Sequence, residues 1–263
     1  MATILPIYYQ IKQTIRNWII NKEYNPGEKI PSENELAERF KVSRLTVRQA
    51  ISQLSQEGFL NSKRGEGTFI TENIDLINSY SFEFSGLIDD FFFAQIAPLK
   101  TRFAQIQKET ATKLIREKLQ LSNEVTEVVR IKRIRYLKDR LFTYTLNYLP
   151  LEIGMKIKEK ALFGRPLLQV MEQDLGIQFT GAVQTIEAHF ADHEVAKSLA
   201  IPSGSPILFV ERIMYTKKQK PVEIFQSSYR GDMYKFIVRY KNVLRKGGNR
   251  WSVTPEIDFD SGK

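Results

Sequence analysis

The sequence predicts an α+β chain in two parts, three helices closed by a small hairpin and then a larger antiparallel sheet domain with helices packed on it. Three observations predict this. Apolar residues recur at helical spacing as far as Leu54. A stretch at 61–68 rich in glycine and basic residues separates two short apolar runs. From Lys100 onward, strand-like runs alternate with short helices and hairpin turns.

The 263 residues suffice for two domains of ordinary size, and 42% of them are apolar, enough to fill a core in each. No apolar run is long enough to span a bilayer. Residues 1–11 lack the charged, then apolar, then small-residue pattern of a secretion signal, so no membrane and a cytoplasmic location are expected. The absence of cysteine excludes disulfides, thiolate catalysis and cysteine-held metals. A formal charge of +9 favours polyanionic partners only weakly. Residues 1–75 carry ten Lys/Arg against nine Asp/Glu, and much of the excess lies in Arg130–Arg140 and Arg239–Arg250. Placement of charge therefore matters more than its total.

Ile7, Ile11, Ile15, Trp18 and Ile19 form one apolar stripe on a first helix, entered after Pro6 and ending near Asn21. Asn25-Pro26-Gly27 is a turn. Ser32 caps a second helix, and Glu35 three residues on completes a capping box. Leu36, Ala37 and Phe40 are its expected buried face. After Lys41-Val42, Ser43 caps a third helix that turns Val47, Ala50, Ile51 and Leu54 inward and stops at Gly58. Its leading outward face carries Arg44, Leu45, Arg48 and Gln49, with Thr46 beside them. The two arginines, four apart, point the same way. Taken alone, such a pair is a solvated helix face.

Context changes that reading. Phe59-Leu60 and Phe69-Ile70 flank a tip holding Lys63, Arg64, Gly65 and Gly67, and three helices followed by such a hairpin form a winged helix-turn-helix. In that arrangement the third helix meets base edges with its N-terminal residues. Arginine pairs bidentately with guanine. Lys63 and Arg64 would hold the tip on the DNA backbone, and the glycines permit close approach.

The run Pro26-Gly27-Glu28-Lys29-Ile30-Pro31-Ser32-Glu33-Asn34-Glu35-Leu36-Ala37 resembles the GntR family of bacterial regulators. So do Val42-Ser43-Arg44-Leu45-Thr46-Val47-Arg48-Gln49-Ala50 and Arg64-Gly65-Glu66-Gly67-Thr68. The likeness covers about residues 6–71. It implies that Arg44, Thr46 and Arg48 contact an operator and that Gly65 enters a minor groove. The candidate DNA-contacting residues are Ser32, Asn34, Ser43, Arg44, Leu45, Thr46, Arg48, Gln49, Lys63, Arg64 and Gly65. Asn34 stands where the family often has Arg, and Glu66 where Lys is common, so operator preference is expected to differ.

With residues 1–71 as the DNA-binding domain, residues 72–84 read as a linker. Residues 85–246 read as a second domain and 247–263 as a loose, acidic tail. The Gly86–Phe93 stretch, with three adjacent phenylalanines, suits a core or a loop lining a pocket or a dimer contact. Lys100–Gln107, Val125–Leu137, Phe142–Leu149, Phe179–Phe190, Ile207–Tyr215, Val222–Tyr229 and Tyr234–Val243 read as strands. Thr110–Leu119, Pro166–Leu175 and a segment from Asp192 to Leu199 read as helices. Strand alternation puts Val129, Ile131, Arg133 and Arg135 on one face, and Arg130 and Lys132 on the other. Arginine is costly to bury unpaired. Arg133 and Arg135 therefore either snorkel at a sheet edge or meet an anion, which could be Glu223 or a bound ligand.

Residues 85–240 resemble the ligand-sensing (UTRA) domain of the HutC subfamily of GntR regulators. The motifs are Val129–Arg135, Tyr148-Leu149-Pro150, Gln184–Ala188, Pro202–Leu208, Glu211-Arg212, Pro221-Val222-Glu223 and Tyr229–Asp232 with Tyr234. That resemblance implies a six-stranded antiparallel sheet similar to chorismate lyase. It implies an effector held by Arg133, Arg135, Glu223 and Tyr229, with Thr145 where sugar-phosphate-sensing members carry Glu. Because of Thr145 and the unlike Gly86–Phe93 segment, a carboxylate-bearing metabolite is expected in place of a sugar phosphate. The expected partners are double-stranded operator DNA, a small-molecule effector and a second copy of the chain. A metabolite-binding enzyme related to chorismate lyase is the rival reading, but no activated nucleophile is present. No cofactor is expected, and His189 and His193 lack a third metal ligand.

Overall fold

Helix α1 (Ile7–Ile20) follows Pro6 and turns Ile11, Ile15, Trp18 and Ile19 into the core. The computed structural model describes residues 6–72, 82–84, 99–137, 140–236, 239–245 and 248–254. They fall into two units. One expectation for α1 fails: Ile7 is 55% exposed. Helical side chains lean toward the N-terminus, so a residue at the first position projects past the end of the packed stripe. Tyr9, Lys12 and Arg16 are buried instead. Lys12 donates to Glu57 at 2.9 Å, and the Arg16 guanidinium lies 5.4 Å from the Phe59 ring centre.

Helix α2 (Glu33–Phe40) carries the expected capping box. The Ser32 amide and hydroxyl each donate to the Glu35 carboxylate at 2.7 Å, and the Glu35 amide donates back to Ser32 Oγ at 3.3 Å. Leu36 is fully buried, whereas Ala37 and Phe40 are half-buried. Helix α3 (Arg44–Gln56) buries Val47, Ala50, Ile51 and Leu54 as its periodicity requires. It ends with Gly58 at φ +83° and the Phe59 amide donating to the Leu54 carbonyl at 2.9 Å, a Schellman closure. Strands β1 (Leu60–Lys63) and β2 (Gly67–Ile70) then form the hairpin, pairing Leu60 with Ile70 and Lys63 with Gly67. Residues 28–30 add a third rung, with the Ile30 amide on the Thr68 carbonyl and the Ile70 amide on the Glu28 carbonyl.

The second unit is built on a six-stranded antiparallel sheet. Its strands are β4 (Lys100–Thr110), β5 (Glu127–Leu137), β6 (Arg140–Pro150), β7 (Phe179–Phe190), β8 (Pro206–Thr216) and β9 (Pro221–Arg230), in spatial order β4-β5-β6-β9-β8-β7. One face is packed by helices α4 (Lys113–Lys118) and α7 (His193–Leu199). Ile115 and Leu119 meet Val128 and Ile224, and Val195 and Leu199 meet Tyr144 and Ile207. Asp192 caps α7, accepting from the Val195 amide at 2.8 Å. The opposite face is apolar at one end. There Val129, Ile131 and Leu149 pack with Leu162, Leu167, Val170 and Met171, drawn from a 3-10 turn (Glu159–Phe163) and helix α6 (Leu167–Gln173). Short helix α5 (Leu151–Gly154) and that 3-10 turn were not expected from the sequence.

Three expectations are corrected at the margins of this unit. Phe82–Phe84 of the expected linker is strand β3, parallel to β10 (Tyr234–Phe236). The expected single strand from Tyr234 to Val243 is two, β10 and β11 (Arg239–Arg245). The expected loose tail contains β12 (Gly248–Thr254), antiparallel to β11. Backbone pairing partners for these segments lie far away in sequence or in an adjoining hairpin, so their own composition carries little strand signal. The Gly86–Phe93 stretch lies outside the described residues.

Candidate functional site

Two surfaces gather the sequence-predicted residues. The first is the leading end of α3 with the hairpin tip. Ser43 caps α3, its Oγ accepting from the Thr46 amide at 3.2 Å and standing 2.8 Å from Thr46 Oγ1. No acidic residue occupies the first turn of α3, so the positive end of its dipole meets no carboxylate from its own helix. Arg44, Leu45, Arg48 and Gln49 are exposed and Thr46 half-buried. Leu45, at 74% exposure, is a large apolar side chain held in water, an arrangement that suits contact with a thymine methyl or a sugar. Both arginine side chains are 58% exposed.

Neither guanidinium is a loose cation. Glu33, at the first position of α2, accepts from Arg48 Nε at 3.0 Å and Arg48 Nη2 at 2.8 Å, and from Arg44 Nη2 at 3.3 Å. The Arg48 hydrogen bond holds the Glu33 carboxyl below the usual carboxylate range. The sequence reading missed Glu33. Its signal was an acidic residue at the start of the helix that precedes α3. Ser32 and Asn34, also on α2, are exposed, though the Ser32 hydroxyl is engaged by Glu35.

At the hairpin tip Lys63, Arg64 and Gly65 are exposed. Lys63 Nζ lies 5.1 Å from the Phe69 ring centre, which props its stem on the hairpin face. The two tip glycines differ. Gly65 has φ +80° and open space where a Cβ would stand. Gly67 has φ +126°, and a Cβ there would lie 2.5 Å from Lys29 Cε.

The second surface is the polar half of the sheet face that carries the α6 core. Cross-strand register sets it out. Arg133 on β5 pairs with Thr145 on β6, Thr145 with Ser227 on β9, and Ser227 with Val210 on β8. One row along, Arg135 pairs with Thr143 and Thr143 with Tyr229. On the other side, Asn147 pairs with Phe225 and Phe225 with Arg212. Directly opposed residues share a face, so Arg133, Arg135, Thr145 and Tyr229 come together as expected. Glu223, two residues before Phe225, completes the set. All are buried.

The hydrogen bonds run across the strands. Arg133 Nη2 donates to Asn147 Oδ1 at 3.2 Å, and Asn147 Nδ2 donates to Glu223 Oε1 at 2.7 Å. Thr145 and Ser227 hydroxyls are 2.9 Å apart. Arg135 makes longer contacts, 3.4 Å to Thr143 Oγ1 and 3.5 Å to Thr145 Oγ1. Tyr229 packs edge-on to Phe142 with ring centres 5.5 Å apart. Arg212 is also fully buried, its guanidinium 4.5 Å from the Phe225 ring centre. Buried on this face are the guanidiniums of Arg133, Arg135 and Arg212 and the carboxylate of Glu223. Thr143 and Asn147 were missed because they reach the arginines only through the register of the β5–β6 pair, and Ser227 and Arg212 because their place depends on the β6-β9-β8 strand order. A groove of about 780 Å³ lined by Arg102, Lys132, His193, Glu194 and Lys197 opens instead on the opposite face, beside α7, and includes none of these residues.

Comparison with known proteins bears on both surfaces. A family model described as bacterial regulatory proteins, gntR family, matches residues 7–70, and one described as UTRA domain matches residues 95–235. The HTH-type transcriptional repressor NagR of Bacillus subtilis is 30% identical over 233 residues, covering 89% of this chain and 94% of that protein. The HTH-type transcriptional regulator GmuR of the same organism is 28% identical over 241 residues, covering 90% and 99%. Among solved structures, YydK from Bacillus subtilis superposes with a TM-score of 0.54 at 20% identity, covering 89% of this chain and 98% of that one. PhnF from Mycobacterium smegmatis gives 0.52 at 21%, covering 86% and 97%. These two likenesses concern the fold.

Proposed function

This chain belongs to the gntR family of bacterial regulatory proteins and carries a UTRA domain, and from that premise we propose a transcription repressor whose hold on operator DNA is set by a small anionic metabolite. It is a regulator and not an enzyme; the relatives it matches over most of their length are named transcription repressors and regulators. The observation that carries the reading is the pair of exposed guanidiniums, Arg44 and Arg48, one turn apart at the capped end of α3.

In this reading α3 enters the major groove. Arg44 and Arg48 read base edges, Thr46 and Gln49 support them, and Ser43 keeps the helix end formed. Lys63, Arg64 and Gly65 hold the hairpin tip against backbone and minor groove. The protein acts as a cytoplasmic homodimer on a pseudo-palindrome whose half-sites lie about one helical turn apart. The effector sits against the polar sheet face. Arg133, Arg135 and Arg212 supply fork-shaped donors suited to a carboxylate or phosphate. Glu223, Tyr229 and the Thr145–Ser227 hydroxyls meet its neutral part. DNA and effector are coupled through whichever dimer arrangement each prefers, so each changes the other's affinity by one factor.

The test is selection of duplexes from random oligonucleotides by the full chain, followed by titration of the selected complex with small carboxylates and sugar phosphates. The expected result is one recurring palindromic site and its release by at least one anionic compound. Recovery of no preferred site would overturn the proposal.

A further inference from the structure

Arg44 and Arg48 share a single carboxylate. Glu33 takes Arg48 through both Nε and Nη2, at 3.0 and 2.8 Å, and Arg44 through Nη2 at 3.3 Å. The Glu33 side chain is less exposed than the two arginine side chains, 26% against 58% each, so the arginines lie toward solvent from it. It belongs to the first residue of α2, where a helix dipole favours negative charge. Resting on the DNA reading above, we propose that Glu33 is a specificity-determining positioning residue, fixing the two forks for base edges and opposing their attraction to phosphate of any sequence.

The physical argument turns on what each kind of binding needs. Sequence-independent affinity grows with the number of phosphates neutralised. Base readout needs a planar fork held at a set angle. Two arginines with one carboxylate carry a net single charge, and Arg48 is held by two of its donors. The fork edge used by Glu33 is unavailable to phosphate, while the remaining donors point outward in a limited set of orientations. Without the carboxylate, both side chains could swing to the nearest phosphates. Non-specific affinity would rise, and the geometry that distinguishes one base pair from another would be lost. A purely structural Glu33, stapling α2 to α3, predicts something different: lower stability, with operator and random DNA weakened alike.

The experiment compares the full-length protein with Glu33→Gln, Glu33→Asp and Arg48→Ala on a selected operator duplex and on a scrambled duplex, by fluorescence anisotropy over a salt series. Glu33→Gln is expected to bind scrambled DNA several-fold more tightly. Its operator-to-scrambled ratio should fall on the order of tenfold, and its salt slope on scrambled DNA should steepen by about 0.9, one further phosphate. Glu33→Asp, which keeps the charge, should recover most of the ratio. An unchanged ratio and slope in Glu33→Gln would overturn the proposal. Arg48→Ala separates the two readings. If it weakens operator binding while Glu33→Gln alters neither quantity, only the role of Glu33 falls; if it changes nothing, the DNA reading itself falls. Were Glu33→Gln not to fold, the Arg48 Nε–Hε resonance of the unaltered protein carries the test. Slow exchange in the free protein supports the clamp, and rapid exchange overturns it.

Discussion

Asn147 stands between a buried guanidinium and a buried carboxylate, receiving Arg133 at 3.2 Å on Oδ1 and holding Glu223 at 2.7 Å with Nδ2. An amide offers a carboxylate a donor and a guanidinium an acceptor at once, from two separate atoms, without adding charge. It ties β5 to β9 through β6 and fixes the two charged groups of the proposed effector site. Such preorganisation lowers the ordering cost of binding.

Replacing Asn147 with Leu strips a partner from both Arg133 and Glu223 in a fully buried place. The expected loss of stability is about 1–3 kcal/mol, read from denaturant unfolding of the full chain. An unchanged midpoint would mean that the bridge carries no energy.

Arg135→Lys keeps the charge but loses the fork. Charge-assisted hydrogen bonds contribute about 1.5–3 kcal/mol each, so the metabolite concentration needed to release operator DNA should rise roughly ten- to hundredfold. Operator affinity without metabolite should stay within a factor of two or so, since the residue lies in the sheet domain and not on α3. Equal loss of DNA binding would show that Arg135 serves folding alone.

Arg48→Ala should cost about 1–3 kcal/mol of operator binding and relax preference at one base position. Lys63→Ala should instead weaken binding to all sequences nearly equally and reduce the salt slope by about 1. Binding isotherms at several salt concentrations distinguish the two, and a sequence-dependent effect at Lys63 would contradict its place on phosphate.

The helical unit was legible in the sequence because its determinants are local. Ser32 and Glu35 sit three residues apart, and so do Ser43 and Thr46; the capping box and the Ser43 cap were expected, and both are present. The strand bounds Phe179–Phe190 were legible for a similar reason, from alternation and flanking turns. The polar sheet face was half legible. Alternation on one strand brings Arg133 and Arg135 to one side without reference to any other strand. Asn147 joins them through the register of the β5–β6 pair, and Ser227 and Arg212 join only because β9 lies between β6 and β8; nothing in a single strand's composition encodes that register or that order. Glu33 was hidden differently. Its partners lie eleven and fifteen residues away, across the turn between two helices, beyond any periodic rule.

Acid should weaken the helical unit. The Ser32 hydroxyl and amide hold the Glu35 carboxyl below its ordinary range, and Arg48 does the same for Glu33. A carboxyl whose folded pKa is depressed stabilises the fold above the unfolded value, and that contribution disappears as pH falls through the folded one. Thermal midpoints should therefore decline as pH drops below the usual carboxylate range. Glu35→Gln, which keeps the reach of the capping box without the charge, should flatten the decline. A slope unaffected by that substitution would assign the acid sensitivity elsewhere.

The two tip glycines separate folding from DNA contact. At Gly67 the Lys29 side-chain end that a Cβ would meet can swing aside, but φ is +126°, so alanine should destabilise the hairpin through its backbone whatever the DNA does. At Gly65 the space is open and φ is +80°, so alanine pays about 1–2 kcal/mol for the left-handed backbone, whereas asparagine adopts that region readily. Gly65→Asn should melt close to the parent protein and yet bind operator several-fold less well, because a side chain now occupies the ground over which the backbone would approach the minor groove. Matching melting curves with unchanged operator affinity would show that the hairpin tip stays clear of the groove, leaving Lys63 and Arg64 as its only candidate contacts.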